Sequence, residues 1–336
     1  MTTINSPNDR LLEWLVQHDW TVVVALDRRS DATAWSSVAS DGLIVLTLEE
    51  QADRFGLFAQ FVPFDTYARK NFGFLEAFRR GFQLVWELDD DNFPHTDPRT
   101  LLDHEWTALS PRSGHPLAFG PESTEQFIPL NLYPELYGEF CWPRGFPLRC
   151  LEDASLGSNS QVVEIISSDC PDIIQLGIDG EPDFDAIFRM GRASKVFKSN
   201  PIWLRLNHPF VAPCNTQNTL WRCFGDAARL GSIYHPFTVS DRFSDIMKGY
   251  VAQVFHSLGV GPSTVFQARN QHSNHADFLA EQQLYRDAYP LIAALSAFLE
   301  DEPVSVISVY SRLLEQGLIG SADISALEAF LQYVNE

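Results

Sequence analysis

The chain has 336 residues, 45% of them hydrophobic and 12% aromatic, which is enough for a sizeable core in one large domain or two unequal ones. Its 44 acidic residues against 24 basic ones give a formal net charge of -20, which excludes a general nucleic-acid or anionic-membrane binder because like charges repel at long range. Any phosphate that the chain binds must therefore meet a local basic or metal-containing site.

The cysteines and the amino terminus predict a cytoplasmic protein. The cysteines show no CxxC pairing and their number is odd, so we expect reduced thiols at Cys141, Cys150, Cys170, Cys214 and Cys223. The first residues have neither the basic nor the apolar region of a secretion signal, and nothing later approaches ~18 continuous apolar residues. We therefore expect no membrane span.

Near-continuous apolar runs in the first fifth of the chain predict an α/β fold. Residues 11–18 have the pattern of a short amphipathic helix. Residues 20–26 and 42–48 are apolar runs separated by polar connections, which is typical of buried parallel strands. Thr47, followed by two glutamates, is a suitable N-cap for the next helix.

A further helix, predicted over residues 66–81, begins with an unusual basic group. Its apolar positions fall at helical spacing, and Gly81 is a suitable stop. Arg69, Lys70 and Asn71 would lie in its first turn, where cations oppose the helix dipole unless an anion is shared there. The pattern therefore indicates either an anion site or a solvated charged turn.

The stretch at residues 84–94 is the strongest functional signal. An apolar run that predicts a buried strand ends in three consecutive carboxylates, Asp89, Asp90 and Asp91. Carboxylates at the carboxyl end of a strand, where open α/β sheets bind their ligands, can hold a hard divalent cation against phosphate oxygens. The alternative is a solvated acidic turn, since aspartate is a favoured turn residue.

The region from about residue 95 to residue 165 predicts long loops and short strands, because it is rich in proline, glycine, serine and aromatic residues. Loops of such length in a compact protein are commonly functional. Within them, residues 142–148 form a rigid aromatic segment with one cation, Arg144. The segment is either a turn or a wall of an active-site cleft.

Later segments carry further candidate residues. Asp185 lies four residues before Arg189 and could pair with it across one helical turn. Asp245 lies in a predicted helix, with Arg242 and Lys248 at three-residue spacing. A segment dense in amides and hydroxyls, suited to hydrogen-bonding a polyol, contains Asn215, Gln217 and Asn218.

Two histidines, His272 and His275, lie in a polar loop that has no HExxH motif, so the pattern is not typical of a zinc site. It fits better with one histidine as an additional ligand of a cation that is bound mainly by carboxylates. Residues 278–299 predict an amphipathic helix, and residues 304–333 predict one or two more as a helical cap. The chain has no G-x-G-x-x-G, P-loop or G-x-S-x-G motif, which excludes dinucleotide, Walker-type and α/β-hydrolase sites.

Four stretches of the chain resemble the STELLO-type glycosyltransferase family in order and spacing. They are residues 67–75, 87–92, 215–221 with 236–240, and 245–250, and the resemblance covers roughly residues 20–275. A more distant similarity to the reversibly glycosylated polypeptides, which include UDP-arabinopyranose mutases, rests on the acidic triplet, on residues 144–147 and on the segment around Asp185. We expect neither the amino-terminal membrane span nor the extra domain of the STELLO-type chains, so we do not expect Golgi residence.

Both resemblances imply a nucleotide-diphospho-sugar transferase (GT-A) fold, which is α/β with a Rossmann-like mixed sheet and, here, a C-terminal helical extension. We expect a nucleotide-sugar-binding and catalytic domain at residues 1–276 and a helical cap at residues 277–336. The resemblance also implies a divalent cation, Mn²⁺ or Mg²⁺, as cofactor.

The roles implied by the resemblance fall into four groups. Asp89 and Asp91 correspond to the carboxylates of a D-x-D motif, and the residues expected at the cation are Asp89, Asp91 and His272. The residues expected at the nucleotide are Asp27, Arg28, Arg69, Lys70 and Asp90. Those expected at the sugar or acceptor are Arg144, Asn215, Gln217 and Asn218. For the general base that an inverting transferase needs, we expect Asp245 first and Asp185 second.

The function implied is transfer of a sugar from a nucleoside-diphosphate donor to a glycan or other hydroxyl acceptor in glycan or polysaccharide synthesis. UDP is the expected nucleoside diphosphate. Two alternatives stay open. A UDP-sugar mutase would use the same donor site with an arginine, Arg144, that carries the sugar. A non-catalytic protein would bind the nucleotide sugar and modulate a polysaccharide synthase. The sequence names neither sugar nor acceptor, and it allows a homo-oligomer.

Overall fold

The structure is a computed structural model that describes residues 2–3, 5–111, 126–151, 162–192, 195–222, 230–267, 274–299 and 304–335. Its strands, numbered in chain order, are β1 Thr2–Thr3, β2 Val22–Leu26, β3 Leu43–Leu46, β4 Val85–Leu88, β5 Asn92–Pro94, β6 Trp106–Pro111, β7 Ile128–Pro129, β8 Val162–Ser167, β9 Ile173–Leu176, β10 Asp179–Gly180, β11 Leu204–Leu206, β12 Phe210–Val211, β13 Asn218–Trp221, β14 Leu258–Gly261 and β15 Val265–Gln267.

The α-helices are α1 Asp9–Gln17, α2 Ala32–Val38, α3 Leu48–Arg54, α4 Gly56–Ala59, α5 Lys70–Arg79, α6 Tyr133–Tyr137, α7 Ala186–Met190, α8 Asp241–Ala252, α9 Asn274–Ala280, α10 Gln282–Leu295, α11 Val306–Glu315 and α12 Ser321–Asn335. Short 3₁₀ turns lie at Tyr67–Arg69, Pro98–Leu101, Leu148–Cys150, Gly231–Ile233 and Ser296–Phe298. Among the described helices, none is long and apolar enough to cross a membrane.

The strands form a mixed α/β architecture, as predicted. A small sheet has the order β1-β2-β3 with parallel pairing, so the prediction of parallel strands at residues 20–26 and 42–48 is confirmed. A seven-stranded sheet has the order β4-β13-β9-β14-β11-β6-β8. Its pairs are parallel and antiparallel, which is consistent with a nucleotide-diphospho-sugar transferase fold.

Local sequence explains where several elements begin and end. Thr47 accepts a hydrogen bond from the backbone N–H of Glu50, and the Glu50 carboxylate accepts one from the backbone N–H of Thr47, so the expected N-cap of α3 is a full capping box. After α5, Gly81 has φ of 74°, the left-handed conformation that favours glycine at a helix end. This stop returns the chain into β4.

Strand pairing brings the acidic triplet next to the amide-rich segment. Asn218, at the start of β13, lies opposite Leu88, at the end of β4, in an antiparallel pair. The residues before β13 therefore lie beside those after β4. On the other side of the triplet, β5 pairs with β15, which sets Gln267 opposite Asn92. These two pairings define the edge at which the candidate site lies.

The C-terminal helices share a core with the amino-terminal half. One cluster of buried side chains joins Ala25 and Phe72 to Leu291, Tyr310 and Phe330. Phe58 packs edge-on against Phe330, with ring centroids 5.6 Å apart. The predicted helical cap is thus packed against the sheet-bearing part of the chain, while the boundary at residue 276 stays a prediction.

Candidate active site

A polar cleft of about 420 Å³ lies at the carboxyl ends of β2 and β4. It is the position where open α/β sheets bind ligands. Of the residues predicted for the site, it is lined by Asp27, Lys70, the acidic triplet, Arg144, Gln217 and Asp245. The structure thus brings together side chains that lie up to 218 residues apart in the sequence, from Asp27 to Asp245.

Each carboxylate of the acidic triplet has a partner. Asp89 Oδ1 accepts from Lys70 Nζ at 3.0 Å, and Asp91 Oδ2 accepts from Gln267 Nε2 at 2.8 Å. Asp90 Oδ2 accepts from the side chain of Asn5 at 3.0 Å. Within the described residues, Asp89 Oδ2 and Asp91 Oδ1 accept no hydrogen bond, so each of these two side chains retains one oxygen for a ligand.

Enclosure in the cleft, and after it the neighbouring carboxylates, make Asp89 harder to ionise than a free aspartate. Although 37% of its side chain is exposed, enclosure by the cleft walls raises the pKa of the Asp89 carboxyl, and the neighbouring Asp91 and Asp90 add to the shift. Lys70 opposes these effects without cancelling them. A site in which ionisation is disfavoured by like charges would gain from a bound cation.

Lys70 connects the triplet to the interior. Its ammonium donates to Asp89 at 3.0 Å and to the Thr216 hydroxyl at 2.9 Å, and it lies 3.7 Å from Glu87. Burial disfavours the charged form, yet Asp89 and Glu87 outweigh that effect and raise the pKa of Lys70. The side chain is therefore held charged at the floor of the cleft.

A buried ion cluster lies below Lys70. Lys248 donates to Glu87 at 2.6 Å and to Nε2 of His235 at 2.8 Å. Burial opposes the ionisation of Glu87, but Lys248 and Lys70 outweigh it and lower the pKa of Glu87. Burial and the adjacent Lys248 lower the pKa of His235 to about 4, so its imidazole is neutral and can accept from Lys248.

Arg144 binds two buried carboxylates at the opposite wall. Its NH1 and NH2 groups donate to the two oxygens of Asp245 at 2.9 and 2.6 Å, and its Nε donates to Asp183 at 2.8 Å. It also donates to the backbone carbonyl of Arg242. Burial disfavours the guanidinium charge, but Asp183 and Asp245 outweigh it and hold the pKa of Arg144 well above its usual range.

Asp185 does not line the cleft. It caps α7 by accepting from the backbone N–H of Ile187 at 2.8 Å, and burial, followed by the nearby carboxylate of Glu281, raises its pKa to about 6. The alternative that Asp185 pairs with Arg189 is not what the structure shows, because Arg189 lies 2.9 Å from Asp277 and 3.6 Å from Glu281. The N-cap conformation of Asp185 turns its carboxylate toward backbone N–H groups and away from the next helical turn.

The predicted nucleotide residues divide into two groups. Asp27 lines the cleft, where its carboxylate accepts from the backbone N–H groups of Arg28 and Asp65. Arg28 is not among the residues that line it; its side chain is 56% exposed and pairs with Asp65. The neighbouring Arg29 lines the cleft instead.

Arg69 is turned away from the cleft. Its guanidinium is buried, donates to the backbone carbonyls of Val62 and Pro63 and to the side chain of Gln51, and lies over the ring of Phe72. These interactions account for the position of Arg69 at the start of the helix without a bound diphosphate. The expectation of a diphosphate contact therefore remains only for Lys70.

The three predicted amide residues have different surroundings. Gln217 lines the cleft and donates to the side chain of Gln267. Asn215 lies behind it, where its amide donates to Asp183 at 3.2 Å. Asn218 is buried within the sheet, accepts from the indole of Trp86 at 2.9 Å and donates to a backbone carbonyl, so it holds strands together.

The carboxylates of Asp89 and Asp91 are suitable ligands for a hard divalent cation, but the described residues do not supply a third ligand. Carboxylate oxygens are the ligands that Mg²⁺ and Mn²⁺ prefer, and Mg²⁺ is commonly held by one or two carboxylates together with water and substrate phosphates. Among the described residues, no group of three or more potential metal ligands comes together. The predicted third ligand, His272, lies outside the described residues.

Several cleft residues were absent from the sequence predictions. They are Asn5, Arg29, Asp65, Thr66, Tyr67, Asp183, Thr216, Asp241, Arg242 and Gln267. Tyr67 directly precedes the basic group of the predicted helix, and Asp183 lies two residues before the predicted Asp185. The nearby motifs therefore indicated these parts of the chain. Which of several adjacent residues lines the cleft depends on side-chain direction, and sequence spacing alone does not give that direction.

Two curated proteins are similar to this chain. The probable glycosyltransferase STELLO1 of Arabidopsis thaliana is 24% identical over 97% of this chain and 42% of its own length. The probable glycosyltransferase STELLO2 of the same plant is 25% identical over 87% of this chain and 39% of its own length. No family model matches the chain. The predicted resemblance to the STELLO-type family is thus confirmed over nearly the whole chain, which spans about 40% of the length of these relatives.

Proposed function

We propose that this chain is a metal-dependent glycosyltransferase that transfers a sugar from a nucleoside-diphosphate donor to a hydroxyl acceptor, and that the nucleoside diphosphate is UDP. The observation that carries the proposal is the cleft in which Asp89, Asp91 and Lys70 meet at the carboxyl end of β4. The names of the two similar proteins, both probable glycosyltransferases, support the same reaction class.

In this proposal Asp89 and Asp91 hold the cation, and Lys70 binds the diphosphate. When bound, the cation would supply Lewis-acid stabilisation of the diphosphate oxygens. Lys70 holds its ammonium 3.0 Å from Asp89 Oδ1, so it would lie close to a diphosphate bound at that carboxylate. A net charge of -20 makes such local compensation necessary for an anionic donor. Arg29, which lines the cleft, is a second cation for the diphosphate in place of Arg69.

The bond to be broken joins the anomeric carbon to a diphosphate oxygen, so negative charge develops on the leaving group. Lys70 is already oriented by Thr216 and Asp89 and needs little reorganisation to stabilise that charge. Asp27 lies at the carboxyl end of β2, where it would contact the uracil. Asp90, which also lines the cleft, would contact the ribose.

Asp245 is the proposed general base because it lines the cleft and Asp185 does not. Each oxygen of Asp245 accepts one hydrogen bond from Arg144 and has a second lone pair, which could accept the proton of an acceptor hydroxyl. Asp241 also lines the cleft and is a second candidate. One of its oxygens accepts from the Thr66 hydroxyl at 2.8 Å and the Tyr67 backbone N–H at 3.0 Å.

The environment of Arg144 argues against the mutase alternative. A guanidinium that carries a sugar must offer a nitrogen as nucleophile. Arg144 is buried, and all three of its guanidinium nitrogens donate to Asp183, Asp245 or a backbone carbonyl. These bonds also keep the group charged, which removes the lone pair that the reaction would use.

The test is donor binding with and without metal. Calorimetric titration of the full chain with UDP-sugars should show binding that depends on Mn²⁺, and Asp89→Asn and Asp91→Asn should each weaken it by about tenfold or more through loss of a charged ligand. Asp53→Asn, an exposed change on α3, is the matched control and should bind as the parent does. Unchanged metal-dependent affinity in both cleft variants would remove the triplet from the site.

Binding and turnover separate the glycosyltransferase from a non-catalytic protein. Release of UDP should require both Mn²⁺ and a hydroxyl acceptor, and Asp245→Asn should lower the rate by roughly 10²- to 10⁴-fold if Asp245 is the base. Metal-dependent donor binding without UDP release from any acceptor would favour the non-catalytic alternative.

A further inference from the structure

The ion cluster beneath the cleft contains a second buried lysine, Lys248, on α8. Its side chain is fully buried, and it is not among the residues that line the cleft. Its ammonium donates to Oε2 of Glu87 at 2.6 Å and lies over the rings of Trp221 and Phe74, 4.7 and 5.0 Å from their centroids. Any effect that Lys248 has on a molecule in the cleft must therefore pass through its neighbours.

Glu87 lies between the two buried lysines. Its Oε2 accepts from Lys248 and, at 3.0 Å, from the indole of Trp221, whereas its Oε1 is 3.7 Å from the ammonium of Lys70. Only 4% of the Glu87 side chain is exposed, against 37% for Asp89. Opposite charges attract more strongly where water is excluded, so a Glu87 without Lys248 would compete with Asp89 for Lys70.

The ammonium of Lys70 is shared between the cleft and the interior. It donates to Asp89 at 3.0 Å and to the hydroxyl of Thr216 at 2.9 Å, and both of these partners line the cleft. Glu87 does not line it. A closer approach of Lys70 to Glu87 would therefore draw the ammonium toward a group that a molecule in the cleft does not reach.

We propose that Lys248 is a positioning residue that neutralises Glu87 and thereby leaves the Lys70 ammonium at the cleft for the diphosphate of the donor. The inference rests on the proposed function, which assigns Lys70 to the diphosphate. Burial lowers the pKa of Lys248 and Glu87 opposes that shift, while Lys248 lowers the pKa of Glu87, so each member of the pair favours the charge of the other. Because these two charges compensate each other, the charge of Lys70 is available to an anion in the cleft.

Lys248→Met tests the inference in the full chain, because it removes the charge but keeps an unbranched side chain beside the two aromatic rings. Lys70 should then turn to Glu87. The affinity for UDP at saturating Mn²⁺ should fall by about tenfold or more, as when a charge-assisted hydrogen bond is lost. The affinity for uridine, which has no phosphate, should stay the same. Calorimetric titration measures both.

Binding of Mn²⁺ without nucleotide should change in the opposite direction. In Lys248→Met the ammonium of Lys70 leaves Asp89, so this carboxylate loses a competing cation and should bind Mn²⁺ more tightly than in the parent. Electron paramagnetic resonance of free Mn²⁺ measures this affinity. A merely structural role of Lys248 would weaken the binding of UDP, uridine and Mn²⁺ together, because all three need a folded cleft.

Two further variants serve as controls. Lys195→Met makes the same change in net charge at an exposed lysine that pairs with Glu139 and does not line the cleft, so it should bind UDP as the parent does. The double variant Lys248→Met/Glu87→Gln also removes the carboxylate that attracts Lys70, so it should recover most of the affinity for UDP. Far-ultraviolet circular dichroism verifies that each variant is folded. If Lys248→Met does not fold, Lys248→Gln decides, because it keeps a hydrogen-bond donor for Glu87 without the charge.

Four results would overturn the inference. They are an unchanged ratio of UDP to uridine affinity in Lys248→Met, weaker binding of UDP, uridine and Mn²⁺ alike, a comparable loss of UDP affinity in Lys195→Met, and no recovery in the double variant. If the parent binds no UDP, the proposed function fails and this inference fails with it. If the parent binds UDP and Lys248→Met binds it equally well, only the role of Lys248 is contradicted.

Discussion

His235 shows how a single buried residue ties the stability of the fold to the charge cluster beneath the cleft. It is completely buried, and burial together with Lys248 lowers its pKa from the ordinary 6.5 to about 4. The folded protein therefore keeps the imidazole neutral over a range in which the unfolded chain binds a proton. Proton binding to the unfolded state alone lowers the free energy of unfolding.

We predict that stability falls as the pH drops from 6.5 to about 4, because only the unfolded state gains the His235 proton in that window. The slope from this residue is up to about 1.4 kcal/mol per pH unit. Urea unfolding across this range should show a shallower decline for His235→Gln than for the parent.

Asp185 provides a control of opposite sign. Its pKa is raised from 3.8 to about 6, so in this window the folded state holds a proton that the unfolded state lacks, and its contribution to stability grows as the pH falls. Asp185→Asn should therefore make the acid decline steeper. The linkage would be refuted if both variants had the slope of the parent.

Arg144 carries a prediction about buried charge. Replacing it with methionine leaves Asp183 and Asp245 buried without their cation, which typically costs about 3–5 kcal/mol. Arg28→Met is the matched control, because the Arg28 side chain is 56% exposed and an exposed pair contributes about 1 kcal/mol or less. Urea unfolding measures both, and comparable losses would show that Arg144 is not a structural centre of the cleft.

At the residue scale, the sequence located the basic group at the start of α5 but did not show which of its two cations faces the cleft. Arg69 and Lys70 are adjacent, and successive helical side chains point about 100° apart, so only one of them can face the end of β4. Lys70 does so. Arg69 is directed to Phe64 and Phe72 and also donates to Gln51, a residue 18 positions earlier whose approach depends on tertiary packing.

At the element scale, continuous apolar runs were sufficient for β2, β3 and β4, each found within two residues of its predicted bounds. The strand β13 was not predicted, because its first residues, Asn218 and Thr219, are polar and belong to the amide-rich segment. Their side chains are buried and bonded to groups on neighbouring strands, such as Gln175. Polar strands of this kind depend on tertiary partners that periodicity does not reveal.

The close approach of α8 to the amide-rich segment depends on Gly249. A Cβ at this position would overlap the backbone carbonyl of Cys214, which cannot move without displacing the chain toward Thr216 and Gln217. α8 also carries Arg242 and Asp245 to the cleft. The spacing between helix and loop therefore sets the width of the cleft.

We predict that Gly249→Ala destabilises the protein by about 1–3 kcal/mol, the usual cost of overpacking. It should also weaken donor binding, because the helix must move away from the loop. Gly56→Ala is the control: its added Cβ meets no atom within 4 Å, and alanine favours helix, so stability should be unchanged or slightly higher. If both variants behave alike in urea unfolding and donor titration, the close approach of α8 to the amide-rich segment does not set the width of the cleft.

At the scale of the whole molecule, the C-terminal helices are bound to the rest of the chain by buried polar contacts as well as by the shared core. Asp323 of α12 is buried and accepts from the Tyr234 hydroxyl at 2.8 Å and from the backbone N–H groups of Phe237 and Thr238 at 2.9 and 3.1 Å. These acceptors fix the loop that leads into α8. The helices therefore support the wall of the cleft that holds Asp245.

The shared core leads to a prediction about the expected boundary at residue 276. A fragment of residues 1–276 should lack cooperative unfolding, because the removed helices cover Phe58, Phe72 and Tyr234 in the main buried cluster. Loss of fixed packing with exposed apolar surface should appear as binding of an apolar dye and a broad thermal transition, whereas the full chain should unfold sharply. Asp323→Asn in the full chain separates the polar contact from the core, since it keeps the helices and should cost only about 1–3 kcal/mol. A soluble fragment with a sharp transition would instead establish that residues 1–276 fold independently, and the support of the cleft wall would then have to come from those residues alone.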